Sequence, residues 1–371
     1  MRIDWTNKAG ERVSAIYFAD SLNLNDVKKF EAEGIDYLEV WYPQKHDYDI
    51  FARYGDALIY IGLDGSWTTK EHSLRIDLTQ SADDILSGME KSRKYKIKRA
   101  KSKDDLHIDF IKLNEGKELQ DYIELQNNGK NAHIVDEEKV LAMVRQKIFY
   151  LGVCKSADGI FLAINTYIVD ENGKWVFMFS SKTNYGEEAK SYGSRPASLL
   201  HYEAMLYFKE KGYAEYDFSG YYMSDKETEK NKKYLSVSEF KKSFIREGGI
   251  VTFDSGICIP ISKTRFIEEN VIRLLSILKK KQVVLWGLSN LGKFALSFLD
   301  NNGIKPVLLI DNKLANKESA FSFQDALSEY DPKGTIVLVA TTLPTYQKIL
   351  SEKVCAPFID GQQIFCVCCN Y

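Results

Sequence analysis

Between Trp175 and Gly220 the chain passes from a short apolar run to a turn marked by glycine, serine and proline, then to a helical apolar pattern, then to an alternating run. That succession reads as strand, loop, helix, strand, and the rest of the chain is organised around it. Trp175-Val-Phe-Met-Phe179-Ser180 is the kind of run shown by a strand covered on both faces. Lys190-Ser-Tyr-Gly193-Ser194-Arg195-Pro196 favours the start of a helix. Leu199, Leu200, Ala204, Met205, Tyr207 and Phe208 predict that this helix is largely buried, and Gly212, after Lys209 and Lys211, ends it. Tyr213 to Phe218 then alternates as a strand closing at Ser219-Gly220.

The first N–H groups of a helix have no intrahelical partners and its dipole end is positive. A pyrophosphate can therefore rest on Gly193 to Ala197, with Arg195 adding a full charge. The other reading is that Gly193 and Pro196 only shape a loop, and the local pattern leaves both open.

Ser198-Leu-Leu-His-Tyr-Glu-Ala-Met205, Lys211-Gly-Tyr-Ala-Glu-Tyr-Asp217-Phe-Ser-Gly220 and Phe240-Lys241-Lys-Ser-Phe244 follow Ile76-Asp-Leu, a helix from Asp83 to Lys91 and Arg93-Lys-Tyr-Lys-Ile97-Lys-Arg-Ala100. In that order these motifs resemble the GNAT-type acyltransferase module of the Fem-type, or nonribosomal, peptidyltransferases. The resemblance covers roughly residues 74 to 255 and touches the segment before it, where that family carries a first copy of the module. It implies transfer of an acyl group to an amine, from an acyl-CoA or an aminoacyl-tRNA. Phe179, Ser180, Ser181 and Lys182, with Gly193, Ser194 and Arg195, are then the candidates for holding acyl-CoA. The N–H groups of Phe179 to Lys182 are candidate donors to a developing oxyanion. Asp217, at a strand end beside the helix start, is either the base that orients or deprotonates the amine or a cap for local N–H groups. Cys154 sits in an apolar run that suits an inert thiol, and His201 is flanked by Leu200 and Tyr202 as a packed histidine is, so transfer is expected to be direct, without an acyl-enzyme.

A chain of 371 residues is expected to hold two to three domains. Residues 1–73 read as an α+β unit with strands Ser14–Phe18, Asp36–Trp41 and Ala57–Ile61 and a helix from Asn25 to Glu33, capped at Asn23 or Asn25; it is a truncated first GNAT-like repeat. Residues 74–258 form the acyltransferase domain, with helices from Gly116 to Gln126 and from Asp136 to Lys147. The basic run from Lys91 to Lys103 is either a solvated helix face, anchored by Ile97 and Ala100, or a phosphate-neutralising surface. Asp225 to Lys242 is a polar segment suited to close over substrate, and residues 259–281 are a linker with a helix from Glu268.

Residues 282–371 begin with Gln282-Val-Val-Leu-Trp286-Gly287-Leu-Ser289-Asn290-Leu-Gly292-Lys293, a strand running into a glycine turn and a helix. A second strand, Val307 to Ile310, ends at Asp311-Asn312, and a third is Thr335 to Ala340. Phosphate rests at the helix start in such a βαβ unit, and an acid after the second strand meets ribose. Ser289 replaces the middle glycine of the dinucleotide fingerprint, and one half-unit remains where a dinucleotide uses two, so NAD is not expected. Val284 to Lys313 resembles the small Rossmann-like domains attached to enzymes that build or decorate nucleotide-activated sugars. Trp286, Gly287, Ser289, Asn290, Gly292, Asp311 and Asn312 are the residues this implies for a nucleotide sugar. The other reading is a packing or dimerisation domain.

The expected architecture is thus α/β and α+β: tandem GNAT-like modules, the first small, then a Rossmann-like domain. A net charge of −2 gives no overall attraction to polyanions, so nucleic acid is not an expected partner. Met1-Arg-Ile-Asp-Trp has no apolar signal core and no apolar run approaches a span, which points to the cytoplasm and away from membranes. Cys355, Cys366, Cys368 and Cys369 lack disulfide spacing, and with no histidine after His201 no metal is expected. Together these residues predict an N-acyltransferase using acyl-CoA and a dTDP- or UDP-linked amino sugar, of the kind that serves bacterial surface polysaccharides such as O-antigen. The alternatives are a cell-wall type aminoacyl-tRNA-dependent peptidyltransferase and a non-catalytic nucleotide-sugar-binding protein.

Overall fold

The computed structural model describes residues 1–368 apart from 20, 62–69, 128–135, 185, 224–231, 246, 316–320, 323 and 342. These residues form two compact units, Met1–Gly10 with Gly62–Ser255, and Glu11–Ile61 with Gly256–Tyr371. The first part of the proposed closing segment, Cys369 and the turn residue Tyr185 lie outside the described residues. No described helix is long and apolar enough to cross a membrane.

The first unit is built on a seven-stranded sheet in the order Ile250–Asp254, Lys70–Asp77, Glu215–Tyr221, Trp175–Thr183, Phe161–Asp170, Phe149–Lys155, His107–Lys112. Every neighbouring pair is antiparallel except Glu215–Tyr221 beside Trp175–Thr183. A parallel pair needs a crossover, and helix Arg195–Glu210 supplies it. Pro196 opens this helix, and Leu200, Ala204, Met205 and Phe208 on it are fully buried. It ends where the N–H groups of Gly212 and Tyr213 reach back to the carbonyls of Lys209 and Phe208, the paired bonds of a Schellman stop.

Helix Lys91–Lys103 packs on the crossover helix through Arg93, Ile97 and Ala100; of its basic run Lys91, Lys98, Arg99, Lys101 and Lys103 are exposed, and Lys94 and Lys96 are half-buried. The helix expected from Asp83 to Lys91 is instead Ala82–Ser87, capped by Ser81, and the chain breaks at Gly88 before Lys91–Lys103 begins.

In the second unit, strands Arg12–Tyr17, Tyr37–Trp41, Gly256–Ile259 and Ile59–Ile61 lie side by side in that order. Helix Leu24–Ala32 joins the first two and opens with a capping box between Asn23 and Asp26. A separate four-stranded sheet, all parallel, runs Leu308–Ile310, Gln282–Trp286, Thr335–Val339, Ile364–Cys366. Helix Ile261–Leu278 starts earlier than the sequence suggests. It buries Ile267, Val271, Leu274 and Leu278 in the same core as Val284, Leu285 and Leu338, so this stretch is a packed element of the unit.

Gly287 ends the first parallel strand at φ +91, and a Cβ there would meet the Ala340 carbonyl at 2.9 Å. Gly292, in the first turn of the helix that follows, lies closer still: its Cβ would fall 1.8 Å from the Gly287 oxygen. The pair lets helix Asn290–Asn301 touch the strand backbone. Gly292→Ala is therefore expected to destabilise the second unit by about 3 kcal/mol or more, at the upper end of what overpacking costs, as read from chemical denaturation.

Candidate functional site

Glu215, Tyr216 and Asp217 pair with Trp175, Val176 and Phe177, and there the parallel ladder stops, although the strands continue to Tyr221 and Thr183. Bulges on both outer sides part them. Phe179 is left over between the pairs Tyr167–Met178 and Thr166–Ser180. On the other strand Phe218 and Ser219 together oppose the single residue Leu74. Ser219 adopts φ +64, a left-handed conformation that a non-glycine residue holds only when its surroundings impose it.

Those surroundings centre on Asp217, which is 1% exposed. Its carboxylate accepts the Ser73 hydroxyl, the Ser219 N–H at 2.7 Å and the Arg75 Nε at 2.9 Å. Burial pushes its pKa up, while Ser73, Arg75 and the Ser219 amide pull against that. From the other side the Lys241 ammonium donates to the carbonyls of Ser219 and Gly220 at 3.3 and 2.6 Å. Burial lowers the Lys241 pKa to about 8, against the pull of Asp217. The structure thus brings Lys241 to the parting strands. The sequence offered it only as part of a family motif, with no signal for its position.

The helix start lies on the same unit. Gly193 closes a short turn over Glu187–Tyr192 at φ +56, and Ser194 caps helix Arg195–Glu210 without a side-chain bond. The N–H groups of Arg195 and Ala197 have no intrahelical carbonyl to reach. Arg195 is not the spare charge expected of it. Both oxygens of Asp104 accept its guanidinium, at 2.5 and 3.1 Å, and a further bond goes to the Ser191 carbonyl. The cation at the helix start is Lys96, whose Nζ lies 3.0 Å from Ser194 Oγ. Burial, and then Arg93, lower its pKa. Arg93 is itself buried, stacked on Phe240 and Phe244 and donating to the hydroxyls of Ser198 and Ser243.

Of the remaining residues singled out on this strand, Phe179 packs edge-on against Phe149 and Ser181 faces solvent. Ser180 Oγ lies 2.7 Å from Thr166 Oγ1, and Lys182 donates to the Leu125 carbonyl. Cys154 is buried, its thiol pushed up to about 12 by desolvation. His201 sits among Phe218, Phe240 and Phe244, with one ring nitrogen 2.9 Å from the Tyr216 hydroxyl.

In the second unit, a cavity of about 590 Å³ opens at the carboxyl ends of the parallel strands. The strand order reverses there, which is where open parallel sheets take ligands. Trp286, Gly287, Ser289, Asp311 and Asn312 line it. Asn290 is not among its lining residues: its side-chain amide donates to the Leu58 carbonyl. Gly292 serves the helix contact described above. The Asp311 carboxylate accepts the N–H groups of Leu288, Lys313 and Leu314 and so fixes the turn and the loop that frame the cavity. Lys313 and Lys348 bring positive charge to the wall, from positions that no sequence motif marked, and Asp311 and Glu352 bring negative charge to it. No group of metal-ligating side chains occurs among the described residues.

No model of a known protein family matches the chain. No curated protein matches it either. Among solved structures it is similar to FemX, with 12% identity and a TM-score of 0.46 over 67% of this chain and 81% of that one. L-PGS from Bacillus licheniformis has 10% identity and a TM-score of 0.41 over 70% and 83%. Saccharomyces cerevisiae N-myristoyltransferase with bound myristoyl-CoA has 10% and 0.32 over 70% and 62%. At such identities the functional reading rests on the site itself.

Desolvation, with Arg93 and Lys241 nearby, drives the His201 pKa down to about 3 from 6.5. Because the folded value is depressed, the unfolded chain binds the extra proton between those limits. The contribution of His201 to the first unit's stability is then full above pH 6.5 and falls on acidification towards pH 3, by about 1.4 kcal/mol per pH unit. Urea titrations across this range should show that slope, and His201→Gln should flatten it.

Proposed function

We propose that this chain is an N-acyltransferase that moves an acyl group from a coenzyme A thioester to the amine of a nucleotide-linked amino sugar. The observation that carries the reading is the end of the parallel ladder at Asp217 and Phe177 beside a helix start supplied with Lys96. An extended pantetheine arm has amides that can pair with an opened strand edge, and a pyrophosphate suits the helix start. The cavity in the second unit, with Lys313 and Lys348 on its wall beside Asp311 and Glu352, is the place for the nucleotide diphosphate in this reading, and Ser289 at the middle-glycine position is what favours a dTDP or UDP carrier over NAD.

In the step itself the amine lone pair attacks the thioester carbonyl carbon. The C–N bond forms, the C–S bond breaks, and the departing thiolate, whose thiol has a pKa near about 8.5, takes the proton the amine gives up. The protein supplies proximity, worth roughly 7 to 11 kcal/mol, and N–H donors for the oxyanion, a role we assign to the stretch from Phe179 to Lys182 beside the bulge. Cys154 and His201, buried and neutral, offer no nucleophile and base pair for a covalent route. Asp217 is wrapped by donors, so we assign it to holding the bend at Ser219.

Release of free thiol from acyl-CoA in the presence of amino-sugar nucleotides is the direct test. Intersecting double-reciprocal lines with an active Cys154→Ala variant are expected. Parallel lines with acyl-labelled protein would overturn direct transfer. Asp217→Asn should lower the rate without changing the shape of the pH profile; a lost basic limb would make it the base after all. Thermal shifts with dTDP or UDP, none with NAD, and weaker nucleotide binding by Asp311→Ala are expected of the second unit.

Aminoacyl-tRNA-dependent peptidyl transfer uses the same attack on an ester carbonyl. The exposed Lys91, Lys98, Arg99 and Lys103 of the basic helix favour it. Consumption of aminoacyl-tRNA with no thiol release from any acyl-CoA would decide for it.

A further inference from the structure

Tyr167 packs on Phe208 of the crossover helix, so its neighbour Thr166 points to the opposite face of the sheet. There helix Lys117–Asn127 lays down its buried stripe of Leu119, Tyr122 and Gln126. Two contacts set its register against strand Trp175–Thr183. The Tyr122 hydroxyl lies 3.1 Å from Ser180 Oγ, and Lys182 donates to the Leu125 carbonyl. Two residues of strand thus run beside about one turn of helix. Gln126, one turn beyond Tyr122 on the same stripe, accordingly falls level with Lys182, two residues along the strand from Ser180.

The three hydroxyls here satisfy one another: Thr166 and Ser180 are 2.7 Å apart, and Tyr122 is within 3.5 Å of both. Gln126 is different. It is 4% exposed, and its side-chain nitrogen has no hydrogen-bond partner among the described residues. Leaving such a donor unmatched forfeits its hydration without return, and buried polar groups are almost always paired. A bound ligand can supply the acceptor, and the atom that suits a neutral N–H donor is an oxygen.

We propose that Gln126 and Ser180 form a specificity pocket for the transferred acyl group, selecting short acyl chains that carry a hydroxyl or keto oxygen close to the carbonyl. The inference rests on the acyl-CoA reading above. Ser180 directly follows the bulge at Phe179, so a group bonded to it lies beside the position which that reading gives the thioester carbonyl. A plain hydrocarbon chain would bury the Gln126 amide without a partner. Sites built to bond a substrate oxygen reject the analogue lacking it far more sharply than apolar pockets reject a methylene.

Calorimetric binding of coenzyme A, butyryl-CoA and 3-hydroxybutyryl-CoA to the full chain tests this. The hydroxyacyl thioester should bind at least about tenfold tighter than butyryl-CoA, a difference of about 1.4 kcal/mol. Gln126→Leu, near-isosteric and without a donor, should bring that ratio within about threefold. Cooperative thermal unfolding shows whether the variant is folded, and Ser180→Ala should erode the same ratio. Equal wild-type affinity for the two thioesters, with coenzyme A bound, overturns the pocket and leaves the acyl-CoA reading standing. No binding of any of the three overturns both. An undiminished preference in folded Gln126→Leu also overturns the pocket.

Discussion

A carboxylate withdrawn from water persists only if its lone pairs are filled by donors, and in the strand-rich unit that requirement falls on Asp217. Ser73 and Arg75 reach it from the neighbouring strand, and the Ser219 amide reaches it from its own. Filling the lone pair with that amide bends the backbone at Ser219 into a conformation that cannot continue a regular ladder. The gap between the parallel strands is therefore the geometric result of satisfying one buried charge. Lys241 holds the carbonyls beyond the bend, so the parted strand ends in a fixed position.

The succession from Trp175 to Gly220 could be read because each of its signals is local: an apolar run, Pro196 inside the first turn, a glycine after two lysines. The same locality explains what the sequence hid. Nothing in the spacing of Met178, Phe179 and Ser180 announces a bulge, which depends on register with Phe161–Asp170. A serine at φ +64 carries no composition signal, since glycine is the residue that position favours. Arg195 looked like a spare charge because Asp104, its partner, is remote in sequence and reaches it only through the packing of two helices.

The second unit shows the same division. Gly287 and Gly292 were visible as a turn followed by a helix, and the structure gives each a steric reason. Asn290, read as a phosphate contact, faces Leu58, a residue no local pattern connects to it. Lys313 and Lys348 come from a loop and a helix well separated along the chain, and only the parallel order of the strands places them on one cavity.

Strand Gly256–Ile259 lies between Tyr37–Trp41 and Ile59–Ile61, pairing with both. During synthesis the two earlier strands emerge long before the one that joins them, with about two hundred residues of the other unit made in the interval. Over that time each presents an unfilled edge, a state in which strands pair with the wrong neighbour. The nascent chain thus has a delay built into its topology: Arg12–Tyr17 and Tyr37–Trp41 can pair early, but Ile59–Ile61 depends on a late arrival to join their sheet.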